Sequence, residues 1–172
     1  MSRTTHPLDQ ARLLAAQSEH SGDWLHAAPI TSVGLRMSND TVRIAVCLRL
    51  GSKSCEPHTC ICGNAVDARG LHGLSCKKVP GKHHRHSMLN DVIMRACNSA
   101  GFQSVKEPVG LTRSDGRRPD GATIIPWSRG LGLVWDVTIS DTFATSYIDS
   151  TAQQAGAAAD RAAMLKNTKY AD

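Results

Sequence analysis

No apolar run in the chain approaches the roughly 18 residues that a membrane-spanning helix needs, so no span is expected. The opening Met1-Ser-Arg-Thr-Thr-His6 lacks the apolar core of a secretory signal. Its six cysteines are therefore expected to stay reduced, in a compartment where clustered cysteines bind metal more often than they pair. Acidic residues are missing from 68–90, which holds Arg69, Lys77, Lys78, Lys82 and Arg85 and accounts for the whole formal charge of +5. His83, His84 and His86 lie in the same segment. A concentrated cationic stripe is the footprint of a nucleic-acid binder, because each neutralised phosphate releases counterions; the plain alternative is a solvated basic loop. What the chain does have is 172 residues with 41% hydrophobic content, enough for one moderate core and a small appended module and too apolar for a disordered tail.

Two carboxylates stand in costly places. Asp120 follows Pro119 directly, and Asp136 interrupts Leu131-Gly-Leu-Val-Trp-Asp-Val-Thr-Ile139, which otherwise reads as a buried strand. Turn chemistry at Arg129-Gly130 and Gly132 predicts neighbouring strands over 122–126 and 133–139, bringing Asp120 and Asp136 together at one end of a sheet. Two close carboxylates repel, and a hard divalent cation such as Mg²⁺ or Mn²⁺ is the usual remedy. The alternative has Asp120 capping a turn and Asp136 paired with Arg117 or Arg118. Glu107, before Pro108, is the best third acid for such a site or else a surface residue.

Upstream, Cys60 and Cys62, then His72 and Cys76, form two ligand pairs separated by nine residues, a spacing that closes a tetrahedral zinc site. Gly63 and Gly73 let the backbone turn tightly around the ion. Cys55 and His58 are spare candidates, and the ordinary reading is buried free cysteines beside a core histidine. A knuckle of this size has little core, so the metal would supply much of its folding energy.

In chain order, Pro7 opens an amphipathic helix with Leu8, Ala11, Leu14 and Ala15 on one face, ending near His20-Ser-Gly22. Trp24, Leu25 and Ile30 form an apolar patch expected to dock elsewhere on the protein. The alternation of Val42, Ile44, Val46, Leu48 and Leu50 suits a strand, whereas Ser38 as N-cap and Gly51 as stop suit a helix, which we favour. A further helix is predicted from His86 or Ser87 to about Ala100, with Asp91 near its first turn as an acidic ligand or a favourable charge for the helix dipole. Phe102 to Val105 reads as extended. Asp149-Ser-Thr151 caps a last helix whose narrow face carries Ala155, Ala158, Ala159, Ala162 and Leu165. Lys166 and Tyr170 sit one turn apart on it, with Lys169 nearby; taken alone they are a snorkelling lysine and an aromatic anchor.

The order Cys-x-Cys, His-x-x-x-Cys, basic stripe, helix, Glu107-Pro108, Gly110-Leu111, Arg118-Pro119-Asp120, Trp135-Asp136-Val-Thr138 and Lys166-x-x-Lys169-Tyr170 resembles the C-terminal region of site-specific non-LTR retrotransposon polyproteins. There a zinc knuckle precedes a restriction-like endonuclease of the PD-(D/E)XK superfamily. The resemblance covers Trp24 to Tyr170. It implies an α/β (α+β) fold with a small central mixed β-sheet flanked by helices, restriction-endonuclease-like, preceded by the knuckle and a helical segment. The corresponding domains are 1–53 (helical linker), 54–86 (CCHC-type knuckle and basic stripe) and 87–172 (endonuclease). Thr138 occupies the position where the superfamily usually has lysine; Lys166, with Tyr170, matches a lysine on the following helix that is thought to substitute. No reverse transcriptase is present in the sequence, so the chain looks like a fragment, a severed reading frame or a domesticated remnant.

The resemblance implies a nuclear endonuclease that nicks DNA to prime reverse transcription. Asp120 and Asp136 would hold Mg²⁺ or Mn²⁺, Lys166, Tyr170 and Glu107 would complete the catalytic set, and Cys60, Cys62, His72 and Cys76 would hold a structural Zn²⁺. Lys77, Lys78, Lys82, Arg85, Arg117 and Arg118 would meet the DNA backbone. Element RNA and a parental reverse transcriptase are further implied partners, and a membrane is not. The competing expectation is a catalytically silent zinc-containing nucleic-acid-binding module with structural acids. A third is an unstable fragment exposing its Trp24 region.

Overall fold

The computed structural model describes residues 6–114 and 116–170, and the side chains of Lys169 and Tyr170 lie outside that description. The chain packs as two units, one taking in the residues up to Val79 and from Ser140 onward, the other Pro80–Ile139.

In the first unit, α1 (Pro7–Gln17) begins with proline at its first position and the His6 ring nitrogen accepting from the Leu8 amide, 3.3 Å away. Helix α2 covers Asn39–Leu50. The Ser38 hydroxyl accepts from the Thr41 amide at 3.2 Å, and Gly51, at φ 71°, ends the helix, so the caps prevail over the period-two pattern. Arg49 donates to the carbonyls of Ala16 and Ser21, each at 3.0 Å, and Arg12 returns a bond to the Arg49 carbonyl at 2.8 Å. These exchanges tie the end of α2 to the end of α1. The strands β1 (His58–Thr59) and β2 (Ala65–Val66) make an antiparallel hairpin, followed by the single turn α3 (His72–Ser75).

The expected last helix is two pieces, α5 (Ile148–Thr151) and α6 (Ala157–Tyr170), separated at Gly156, whose φ of 82° breaks the run; α4 (Gly81–Ser99) precedes them in the second unit. Ala158 is buried, as its place on the narrow face required, while Leu165 is exposed. Helix α1 packs on α5, and α5 on α6. Leu25 and Ile30 are also exposed, so the expected docking of the Trp24 patch is incomplete.

The second unit is built on α4 (Gly81–Ser99), which packs on β3 (Ser104–Lys106) and β4 (Gly121–Thr123). With β5 (Val134–Trp135) these strands form a sheet of order β3-β4-β5 in which both pairings are antiparallel, where a mixed sheet was expected. Neither connection within this sheet carries the crossover α-helix that usually joins parallel neighbours, and both pairs run antiparallel. The β4–β5 connection closes at Arg129 (φ 51°) and Gly130 (φ 76°), flanked by a bridge between Ser128 and Leu131. Helix α4 starts at Gly81, several residues before His86, so the basic stripe from Lys82 to Arg85 is helical. The architecture is thus α+β, with small antiparallel sheets flanked by helices. No helix among the described residues is long and apolar enough to cross a membrane.

Candidate metal centres

The first centre belongs to the β1–β2 hairpin and α3. Just after Cys62 the chain reverses at Gly63 (φ 91°), with the Gly63 amide bonded to the Cys60 carbonyl at 2.8 Å. Helix α3 places His72 and Cys76 one turn apart, the Cys76 amide donating to the His72 carbonyl at 3.0 Å. The four ligand atoms of Cys60, Cys62, His72 and Cys76 all lie within 4.8 Å of one another. Zinc–sulfur bonds of about 2.3 Å arranged tetrahedrally give ligand–ligand edges of roughly 3.8 Å. The Cys60 and Cys76 sulfurs are 3.7 Å apart, and Cys62 Sγ is 3.2 Å from His72 Nε2. The group can therefore hold a zinc ion. The spare candidates go elsewhere: Cys55 donates to the Asp67 carbonyl at 3.3 Å, and the His58 ring contacts the Glu56 carbonyl at 2.8 Å.

Sulfur crowding separates the two innermost thiols electrostatically. Desolvation pushes Cys76 up, but the Lys78 amide, the Cys60 and Cys62 thiols and the Val79 amide together bring it down to about 7. Cys60 moves the other way; the Cys62 amide lowers it, and desolvation with its bonds to Cys62 and Cys76 raises it further. A thiolate at Cys76 is the form that binds metal.

The second centre lies in the β4–β5 hairpin. Gly121 pairs with Trp135 and Ala122 with Val134. Extended by one residue, that register sets Asp120 opposite Asp136, and the Asp120 amide donates to the Trp135 carbonyl at 3.1 Å. The Asp136 carboxyl is near enough to act on the titration of Asp120. Burial is the main reason the Asp120 pKa is raised, and the Asp136 contact adds to it; the Val137 amide and the His86 ring oppose. Asp120 Oδ2 accepts from the Val137 amide at 2.6 Å and lies 3.1 Å from His86 Nε2. Its side chain is 18% exposed, so solvent does little to screen the pair.

The other expected site residues have separate fates. Glu107 sits at φ 48° and donates its amide to the Asp120 carbonyl at 2.9 Å, while its carboxylate forms an ion pair with Arg118. Arg118 is one of the two arginines, with Arg117, that the alternative reading offered to Asp136. Asp91 pairs with Lys106 on β3; because α4 begins ten residues before Asp91, there is no helix end for it to favour. Lys77, Lys78 and Lys82 are exposed, and Arg85 is half-buried. The Arg117 carbonyl accepts from the Arg113 amide at 2.7 Å in the loop before β4. Lys166 is half-buried on α6, in the first unit, and the Tyr170 side chain lies outside the described residues.

Asn90 was not singled out by the sequence. It is 4% exposed on α4, donates to the Asp120 carbonyl at 2.9 Å and accepts from the Trp135 indole at 2.7 Å. Its signal was an amide between the apolar residues Leu89 and Val92, one turn after His86. No family model, curated protein or solved structure matched the chain.

Proposed function

We propose that the chain is a metal-dependent endonuclease that hydrolyses phosphodiester bonds, with its zinc knuckle serving nucleic-acid binding. The observation that carries this reading is the meeting of the Asp120 and Asp136 carboxyl groups at the β4–β5 edge. Two neighbouring acids resist joint ionisation, a cost that a shared proton or a cation relieves, and an all-oxygen donor pair suits Mg²⁺ or Mn²⁺. The Asp120 pKa is raised, first by burial and then by Asp136, and a bound cation would offset both. A divalent ion there would supply water activation and charge neutralisation at the scissile phosphate. Asp120, held by Val137 and His86, would keep its carboxylate fixed, and Asp136 would complete the donor pair.

Cationic residues in the first turns of a helix oppose the helix dipole unless an anion offsets them. Lys82 and Arg85 lie in that position on α4, which supports a phosphate partner. The motif order adds the restriction-like fold, DNA as substrate, a nick priming reverse transcription, element RNA and a reverse transcriptase as partners, and a nuclear setting.

Supercoiled plasmid incubated with Mg²⁺ or Mn²⁺ is expected to become nicked. Asp120→Ala and Asp136→Ala, with folding and zinc content checked, should abolish the product. A parent protein that leaves the plasmid intact, or variants that cut equally well, would favour the second reading: a binding module in which Asp120 serves the fold. That reading has its own observation, since Asp120 Oδ2 accepts the Val137 amide as a structural aspartate would.

A further inference from the structure

Asp120 is gripped at both ends by one face of one helix. On α4, His86 and Asn90 are one turn apart, and a spacing of four residues puts both side chains on the same side. His86 Nε2 reaches the Asp120 carboxylate, 3.1 Å from Oδ2, and Asn90 Nδ2 reaches the Asp120 main-chain carbonyl at 2.9 Å. The amide oxygen of Asn90 takes the Trp135 indole N–H at 2.7 Å, and Trp135 is the residue just before Asp136. One buried side chain therefore ties the backbone of the first acid to the neighbour of the second. The Val137 amide donates to the same Oδ2 at 2.6 Å, so that carboxylate oxygen has two partners.

We propose that His86 and Asn90 are positioning residues for the divalent-ion site, holding Asp120 so that its carboxylate converges with that of Asp136. The proposal rests on the reading of Asp120 and Asp136 as ion ligands. A side chain serving only the fold would bridge backbone groups, as Asn90 does in part. His86 satisfies no backbone group of the sheet through Nε2; it contacts the carboxylate oxygen itself. Groups that orient ligating side chains control metal affinity with little change in the ligand count.

The test uses the full-length, zinc-loaded protein and measures Mn²⁺ binding by calorimetry or electron paramagnetic resonance, well below the melting temperature of every variant. His86→Leu and Asn90→Ala are each expected to weaken Mn²⁺ binding by about 10-fold or more. His86→Gln carries an amide nitrogen to the place of the imidazole Nε2 and should restore most of the affinity. Trp135→Phe keeps the ring and removes only the indole bond, and should lose less affinity than Asn90→Ala. Unchanged affinity in His86→Leu and Asn90→Ala, with Asp120→Ala abolishing binding, overturns the positioning role and leaves the ion site standing. A parent protein with no affinity that Asp120→Ala reduces overturns the ion site and this proposal with it. Should Asn90→Ala fail to fold, the comparison of His86→Leu with His86→Gln decides: equal loss in both overturns the proposal.

Discussion

Gly121 leaves no space for a side chain, because a Cβ placed there would stand 2.0 Å from Cζ2 of the Trp135 ring. Gly121→Ala should cost about 2 kcal/mol, as overpacking typically does, and shift the urea midpoint accordingly, with tryptophan fluorescence as the probe. A different balance holds at Asp9, whose carboxylate lies in the fork of Arg69, with contacts of 3.1 and 3.3 Å, and near Arg12 Nε at 3.4 Å. The Arg69 bonds hold its pKa below the usual 3.8, against desolvation. A lowered folded-state pKa gives stability that is present above 3.8 and is lost as pH falls through the folded value. Asp9→Asn is therefore expected to cost roughly 1 kcal/mol at neutral pH and nothing in strong acid, checked by thermal melts across a pH series. At this scale Asp136 stood out in the sequence because an acid in an apolar run declares its own cost, and Asp120 because it follows Pro119 directly. Asn90 was not, since an amide on a helix face is ordinary until its partners, 30 and 45 residues onward, are in place.

The knuckle is an element whose two strands have two residues each and which buries little besides Val66 and Cys76. Removing zinc with a strong chelator should release one ion per chain and unfold 58–76, seen as lost amide dispersion confined to that region; His72→Ala should do the same without chelator. The clustering of Cys60, Cys62, His72 and Cys76 could be read from the sequence because a hairpin turn and a single helical turn have fixed spacings. Elements shaped by competing signals were harder. Ser38 and Gly51 settled α2 against its strand-like alternation, since a satisfied cap outweighs a pattern that fits no single helix face. The start of α4 was missed because Pro80 precedes it with no side-chain cap and its first turns carry cations, which the dipole disfavours. The turn at Arg129-Gly130 was legible, but the antiparallel pairing of β3 with β4 depends on the long connection through Glu107 and Arg118.

Across the whole molecule the interior is filled by small side chains, Ala11, Ala152 and Ala158 in one unit and Cys97, Ala122 and Val137 in the other. Leu131, Leu50 and Met164 meanwhile stand 71, 63 and 69% exposed. The α+β class and the basic charge could be read from the sequence. The make-up of the first unit could not, because it joins segments from both sides of the second unit, and no local pattern encodes that return. With so little large apolar surface buried, a zinc ion at Cys60, Cys62, His72 and Cys76 would carry a large share of the stability of the knuckle, and its loss would have a chemical sequel. Cys60 and Cys76 hold their sulfurs 3.7 Å apart, and the second is half ionised near neutrality. An emptied knuckle meeting peroxide would couple those two thiols into a disulfide, with water as the by-product, and would then refuse the ion. With zinc bound there, the working lifetime of the knuckle outside a reducing milieu would be set by how quickly the ion leaves relative to how quickly it is replaced.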